Sequence, residues 1–112
     1  MIPERIKKEI NRDEFYRVCC ITGRMDNIVL HHPFYYGKNG KQINEIVVPV
    51  TESKHARVGG DTDSVHNCKK TKDRAKWVAI NRADINELKI KYPKFDWQKE
   101  KDRLNLEFGA YE

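Results

Sequence analysis

Cysteine is scarce in this sequence: three residues, Cys19, Cys20 and Cys68. They cannot supply the four thiolates of a structural zinc site, and no two stand at the paired spacing such sites use. Three positions beyond Cys20 stands Gly23, where a second thiol would be needed. No structural zinc is therefore expected, and the three thiols read as small buried hydrophobes. An odd thiol count without a signal-peptide pattern fits a reducing compartment, so a cytoplasmic location is expected. No apolar run approaches the length of a membrane span, and no membrane partner is expected. Internal repeats, low-complexity tracts and a clear linker are missing as well, leaving nothing to divide the chain.

What remains is 112 residues, the size of one domain with a modest core that buries roughly two-thirds of its unfolded surface. Hydrophobic residues make up 38% and charged residues 35%, a rather polar balance. The net charge of +5 and a pI of about 9.1 permit a polyanionic partner without specifying one.

All four histidines fall between residues 31 and 66. His31 and His32 are adjacent, and on a strand adjacent side chains point to opposite faces. They cannot easily ligate one ion from a regular strand, but they can divide labour at a strand end. Pro33 makes such an end by removing a backbone donor. One imidazole can then hold a metal while the other faces a substrate as a base, its pKa already near working pH. A second ligand must come from elsewhere, and His55 is best placed. The apolar run Ile46–Val50 reads as a strand, Thr51 can cap a following helix, and Glu52 suits its first turn. His55 then sits about one turn inside that helix. Between the histidines lie the Gly37-Lys-Asn-Gly40 loop and Asn44, a residue type that bonds backbone across a loop and fixes its shape.

Around this window the pattern predicts packing elements. Pro3–Ile10 reads as a helix, with Ile2, Ile6 and Ile10 recurring every four residues. Phe15–Ile21 reads as a strand, Thr22-Gly23 as a turn, and Asn27–His31 as its partner strand. Gly59-Gly60 should end the short helix, with Asp61 or Asp63 capping a further segment that holds His66. Asn81 looks like an N-cap, with a stripe of Ile85, Leu88 and Tyr92 ended by Pro93. Asp96 can cap a last helix whose Trp97, Leu104 and Phe108 share a face, with Gly109 as its stop. The terminal helices are expected to bury against the hairpin face carrying Ile28 and Leu30.

Residues 69–82 hold six basic side chains against one acidic, Asp73. That pattern suits a solvated helix face or a surface that tracks a phosphate backbone. Lys38 and Lys41 flank the Asn39-Gly40 turn and could meet phosphate. Phe34-Tyr35-Tyr36 could stack on bases, although such runs more often pack a loop onto the core.

A histidine pair, a loop, an Asn, an apolar strand and a helical histidine in this order resemble the HNH endonucleases, the family built on a ββα-metal finger. The likeness covers about residues 17–70 and is closest to the small HNH domains of phages and mobile elements, where a Cys-x-x-Gly turn also precedes the histidine pair. It implies an α+β fold: a two-stranded hairpin plus short helix, with packing helices at both termini and the C-terminal ones over about residues 70–108. Residues 1–112 would form one HNH-like nuclease domain. It also implies that His31 and His55 are metal ligands, that His32 is the general base activating water, and that Asn44 orients the loop. His66 stands further from His55 than the family pattern has it, as a possible additional metal or phosphate contact. Lys38, Lys41, Arg57, Lys69, Lys70 and Lys72 would meet nucleic acid.

The implied activity is hydrolysis of DNA phosphodiester bonds using one divalent ion. Imidazole ligands with water suit Mg²⁺, Mn²⁺, Ni²⁺ or Zn²⁺. A catalytically inactive nucleic-acid-binding ββα domain is the alternative; it would keep the basic surface and need no base at His32.

Overall fold

The computed structural model describes residues 2–111 of the chain. In chain order the elements are α1 (Glu4–Arg12), a 3₁₀ turn (Glu14–Arg17), β1 (Ile28–His31), β2 (Tyr35–Tyr36), β3 (Lys41–Gln42) and β4 (Val48–Thr51). Then follow α2 (Glu52–His55), α3 (Lys69–Arg82), α4 (Ile85–Lys91) and α5 (Trp97–Phe108). The result is an α+β fold in which helices surround a two-stranded antiparallel hairpin.

That hairpin pairs β1 with β4, in the register Ile28↔Thr51, Val29↔Val50, Leu30↔Pro49 and His31↔Val48. The expectation that Phe15–Ile21 would be the partner strand of β1 is incorrect. Asp13 accepts the backbone N–H of Phe15 at 2.9 Å and turns the chain into a 3₁₀ segment instead. Residues 18–24 then follow the outer edge of β4, where the Cys20 N–H donates to the Pro49 carbonyl at 2.9 Å. β-Forming side chains mark a half-buried surface rather than a particular pairing, and the four fully buried residues of β4 take the place beside β1.

β2 and β3 form a second small ladder inside the β1–β4 connection, with Tyr35↔Gln42 and Tyr36↔Lys41. Its tip is the Gly37–Gly40 turn, closed by Gly40 N–H to the Gly37 carbonyl at 3.1 Å. Both glycines have left-handed φ, +79° and +62°, which side chains resist.

The core lies between β4 and the C-terminal helices. Val48 and Val50 meet Ala75, Val78, Ala79 and Ile80 of α3, Leu88 of α4, and Trp97 and Leu104 of α5. Each valine, leucine and isoleucine among them contributes roughly 1.5–3 kcal/mol by leaving water. The hairpin face carrying Ile28 and Leu30 is only half-buried; β4, not β1, supplies the main packing surface. α1 buries a single residue completely, Ile6, and is tied down by the Arg5–Glu87 ion pair; Arg82 pairs with Asp13 just beyond its end.

α4 and α5 begin on side-chain caps, whereas α1, α2 and α3 do not. Asp96 accepts Lys99 N–H at 3.0 Å, and Gly109, at φ +94°, stops α5. Asn81, expected as an N-cap, lies inside α3, where its amide bridges the Trp77 carbonyl and the Asn105 side chain of α5, both at 2.8 Å. Asp84 is the cap of α4, accepting from Glu87 N–H at 3.2 Å. Among the described residues, no helix is long and apolar enough to cross a membrane.

Candidate metal centre

β1 ends at His31, whose backbone register with Val48 carries its side chain into the interior; the residue is 2% exposed. β4 runs directly into α2, with Thr51 at the cap position, although its hydroxyl lies near Ser53 Oγ (3.4 Å) and makes no capping bond. α2 is a single turn and ends at His55, before the glycines expected to stop it. His55 therefore stands one strand and one helical turn away from His31, against it in space, with ring centroids 5.4 Å apart.

Residues 56–68 then fold back, and Asp61 and Asp63, expected to cap a segment holding His66, instead pair with Lys54. Asp61 N–H reaches the Ser53 carbonyl (2.9 Å) and Val65 N–H the Lys54 carbonyl (2.7 Å). Lys54 Nζ pairs with Asp61 and Asp63, and the Asn67 amide holds the carbonyls of Arg57 and Asp61. Gly60 is needed here, because a Cβ would meet the Ala56 carbonyl oxygen at 2.0 Å. Ser64 and Val65 are fully buried by this return, and His66 arrives beside His55.

The outcome is a three-histidine cluster. One ring nitrogen from each of His31, His55 and His66 lies within 4.8 Å of the others. The Nε2 atoms of His55 and His66 are 3.3 Å apart. Two nitrogens bound tetrahedrally at about 2.0–2.1 Å would be separated by roughly this distance. His31 Nε2 is buried without a hydrogen-bond partner, a costly state that a ligated ion would relieve. The residues thus fit a divalent cation of borderline softness, with coordination positions left for water or a ligand.

Electrostatics favour the ligand-competent, neutral rings. His31 is pushed down to about 3, by burial first and then by His55, His66, His32 and Lys72. His55 is lowered by burial. His66 is lowered by burial, then by His55, Arg57 and Lys72. His32, half-buried past the end of β1, is also lowered by burial, while the Asn44 side chain acts in the opposite direction and favours its charged form. Asn44 thus lies near His32, whose Nε2, like that of His31, is buried without a hydrogen-bond partner and stands outside the three-nitrogen cluster.

The basic residues separate into groups. Lys72 and Arg57 are close enough to the cluster to act on its histidines. Lys38 and Lys41 sit on the β2–β3 ladder and its tip, exposed. Lys69 is already engaged, donating to the buried Asp73 carboxylate at 2.9 Å. Lys69, Lys70 and Lys72 crowd the first turn of α3, which holds no acidic residue. The partial positive charge of that helix end disfavours cations, so the arrangement suits a supplied anion.

Cys19, Cys20 and Cys68 are free thiols, and none joins the histidine cluster. Burial pushes Cys20 up to about 12. Burial acts the same way on Cys19, but hydrogen bonds from Thr22, Ile21 and Thr51 outweigh it and bring the thiol below its ordinary value. Sequence reasoning did not single out the Tyr92–Glu45 contact. Tyr92 O–H donates to Glu45, the neighbour of Asn44, at 2.5 Å, across 47 positions with no local signal. Compared with models of known protein families, with curated protein sequences and with solved structures, the chain finds no match.

Proposed function

We propose that the chain is a divalent-metal-dependent endonuclease that hydrolyses phosphodiester bonds in DNA, with β1, β4 and α2 forming a ββα-metal finger. The observation that carries this reading is the pairing of two sites at one strand end. His31, His55 and His66 converge on one point, while the adjacent His32 stands with Asn44. A phosphodiester resists attack because the nucleophile approaches an anion and the leaving oxygen must take up charge. A divalent ion on the three imidazoles would supply Lewis-acid stabilisation of that charge. His32, neutral at working pH, takes the proton of a water held about 3 Å away. Asn44, near His32, orients the loop. Lys72 and Arg57 place positive charge where phosphate oxygens would lie. The lysine-rich start of α3 extends this surface along the backbone.

Incubation of supercoiled plasmid with Mg²⁺, Mn²⁺, Ni²⁺ or Zn²⁺, with and without chelator, tests the reading. Cleavage that requires an ion and stops with chelator is the expected result. Intact plasmid under every ion, with DNA still bound, would instead identify an inactive nucleic-acid-binding domain.

A further inference from the structure

The segment between His32 and Asn44 is a basic flap with a single outward-facing aromatic ring. It contains no acidic residue, and every position from Gly37 to Gln42 is exposed. Its base is fixed. Phe34 is 4% exposed and packs edge-on to Phe95 and Trp97, with centroids at 6.1 and 5.3 Å. Ile43, 1% exposed, donates its N–H to the Phe34 carbonyl at 3.1 Å and closes the ladder. Tyr36 meets Tyr92 at 4.8 Å. Strand alternation then sends the ring between these two anchors the other way: Tyr35 is 50% exposed. Gln42, its cross-strand partner, shares its face and is exposed as well.

An aromatic ring presented to water on a rigid support gains nothing for the fold, whose other flap aromatics are packed inward. Nucleic-acid bases have π-faces that stack on such rings whatever their identity, when they are unpaired. The side-chain amide of Gln42, on the same face, can bond a base edge. Lys38 at the tip supplies charge for a flanking phosphate, whereas Lys41, the cross-strand partner of Tyr36, belongs to the opposite face of the ladder. Two residues, Pro33 and Phe34, separate His32 from Tyr35, a reach of at most about 10 Å, so a base gripped there adjoins the phosphate under attack.

We propose that this flap is a subsite for an unpaired nucleotide next to the scissile phosphate, with Tyr35 stacking on the base and Lys38 holding the backbone. The inference rests on the endonuclease reading for the phosphate it adjoins, but its test needs no cleavage. The full chain is titrated in excess chelator against two fluorescent single-stranded DNAs of equal length, one with bases and one abasic, and binding is read by anisotropy. The wild-type chain should prefer the base-bearing strand. Tyr35→Ala should weaken binding to that strand roughly 5- to 100-fold and leave the abasic strand unaffected, erasing the preference. Tyr35→Phe, which keeps the ring, should bind as wild type does. Lys38→Ala should weaken both strands alike and reduce the slope of log affinity against log salt by about 0.7, while Lys41→Ala, on the opposite face, should leave it unchanged. Wild-type binding with no loss in Tyr35→Ala overturns the subsite while leaving the nuclease reading intact. Failure of the wild-type chain to bind either strand overturns the subsite together with the single-stranded substrate. Plasmid cleavage decides the catalytic reading separately.

Discussion

The hydroxyl of Tyr92 donates to the carboxylate of Glu45 at 2.5 Å, joining the end of α4 to the residue that follows Asn44. Burial and then Glu45 itself push the phenol up to about 12, so the hydroxyl keeps its proton and donates throughout the working range. The same ring packs on Tyr36. Tyr92 thereby holds the two sides of the flap, one through its ring and the other through its oxygen.

Tyr92→Phe separates these contributions, because it keeps the ring and removes the donor. Stability should fall by about 1.5–3 kcal/mol, the scale of a hydrogen bond to a charged acceptor. The loop that carries Asn44 beside His32 should then be held less firmly, and ion-dependent cleavage should drop about tenfold or more. The metal cluster lies on other elements, so metal affinity should stay within twofold of wild type. Plasmid cleavage rates and calorimetric metal titration check both parts. Parallel losses of metal affinity and rate would show that the contact supports the whole centre rather than Asn44.

The adjacency of His31 and His32 yields a prediction about division of labour. His32→Ala should abolish cleavage while leaving metal affinity nearly intact, since His32 stands outside the three-nitrogen cluster. His55→Ala should lose both. His66→Ala should behave like His55→Ala in the metal titration, because its Nε2 lies 3.3 Å from that of His55. Equal affinity losses in His32→Ala and His55→Ala would reject the assignment.

Features of the site were legible in the sequence where the signal was local. His55 one turn after an apolar strand, Asp96 as a cap and Gly109 as a stop all follow from neighbouring residues. Pairing was not legible in the same way. The strand run expected at Phe15–Ile21 had the right residue types, but β4 is the more apolar segment and occupies the place beside β1. Asn81 carries the residue type of a cap, yet its amide is used across α3 and α5, a contact 24 positions long. The role of His66 is not legible locally, because its position depends on residues 56–68 folding back, through Val65 to Lys54 and Asp61 to Ser53. Lys69 could not be separated from Lys70 and Lys72 by composition; the buried Asp73 one turn away distinguishes it.

Burial of the histidines sets a pH dependence for the metal-free protein. An unfolded histidine titrates near 6.5, whereas folded His31 does so at about 3. Below pH 6.5 the unfolded chain takes up a proton that folded His31 refuses. The contribution is thus fully present above about pH 6.5 and is lost progressively as pH falls toward 3. His31 alone accounts for an effect on the order of a few kcal/mol, and His32, His55 and His66, whose values are also lowered, add to it in the same direction. Thermal melts in chelator should show the midpoint dropping steadily from neutral to acid pH. His31→Phe, apolar and of similar size, should flatten that slope even if it lowers stability overall. A slope unchanged in His31→Phe would remove His31 as its source.

Chelation separates a catalytic ion from a structural one. Within the described residues, the one group of three or more ligating side chains close enough to hold an ion is His31, His55 and His66. The thiols stand apart from it, and Cys20 is buried in a setting that opposes the thiolate. Cohesion comes instead from apolar packing: Trp97, Leu104, Ile80, Leu88, Val48 and Val50 are all nearly inaccessible to water. α3 and α5 are further joined by Asn81 and Asn105, and the 56–68 return is held by its own backbone bonds and the Lys54 ion pairs. None of these contacts needs a metal. An ion binding only the folded state adds stability through mass action, at most a few kcal/mol at ordinary concentrations. Removing it should therefore lower the melting midpoint without unfolding the chain at room temperature. Circular dichroism after exhaustive chelation should retain the helical signal, with cleavage lost and then restored when the ion is returned. Cooperative unfolding at room temperature would place a structural ion in the fold, and Cys19, Cys20 and Cys68 would be the next ligands to replace.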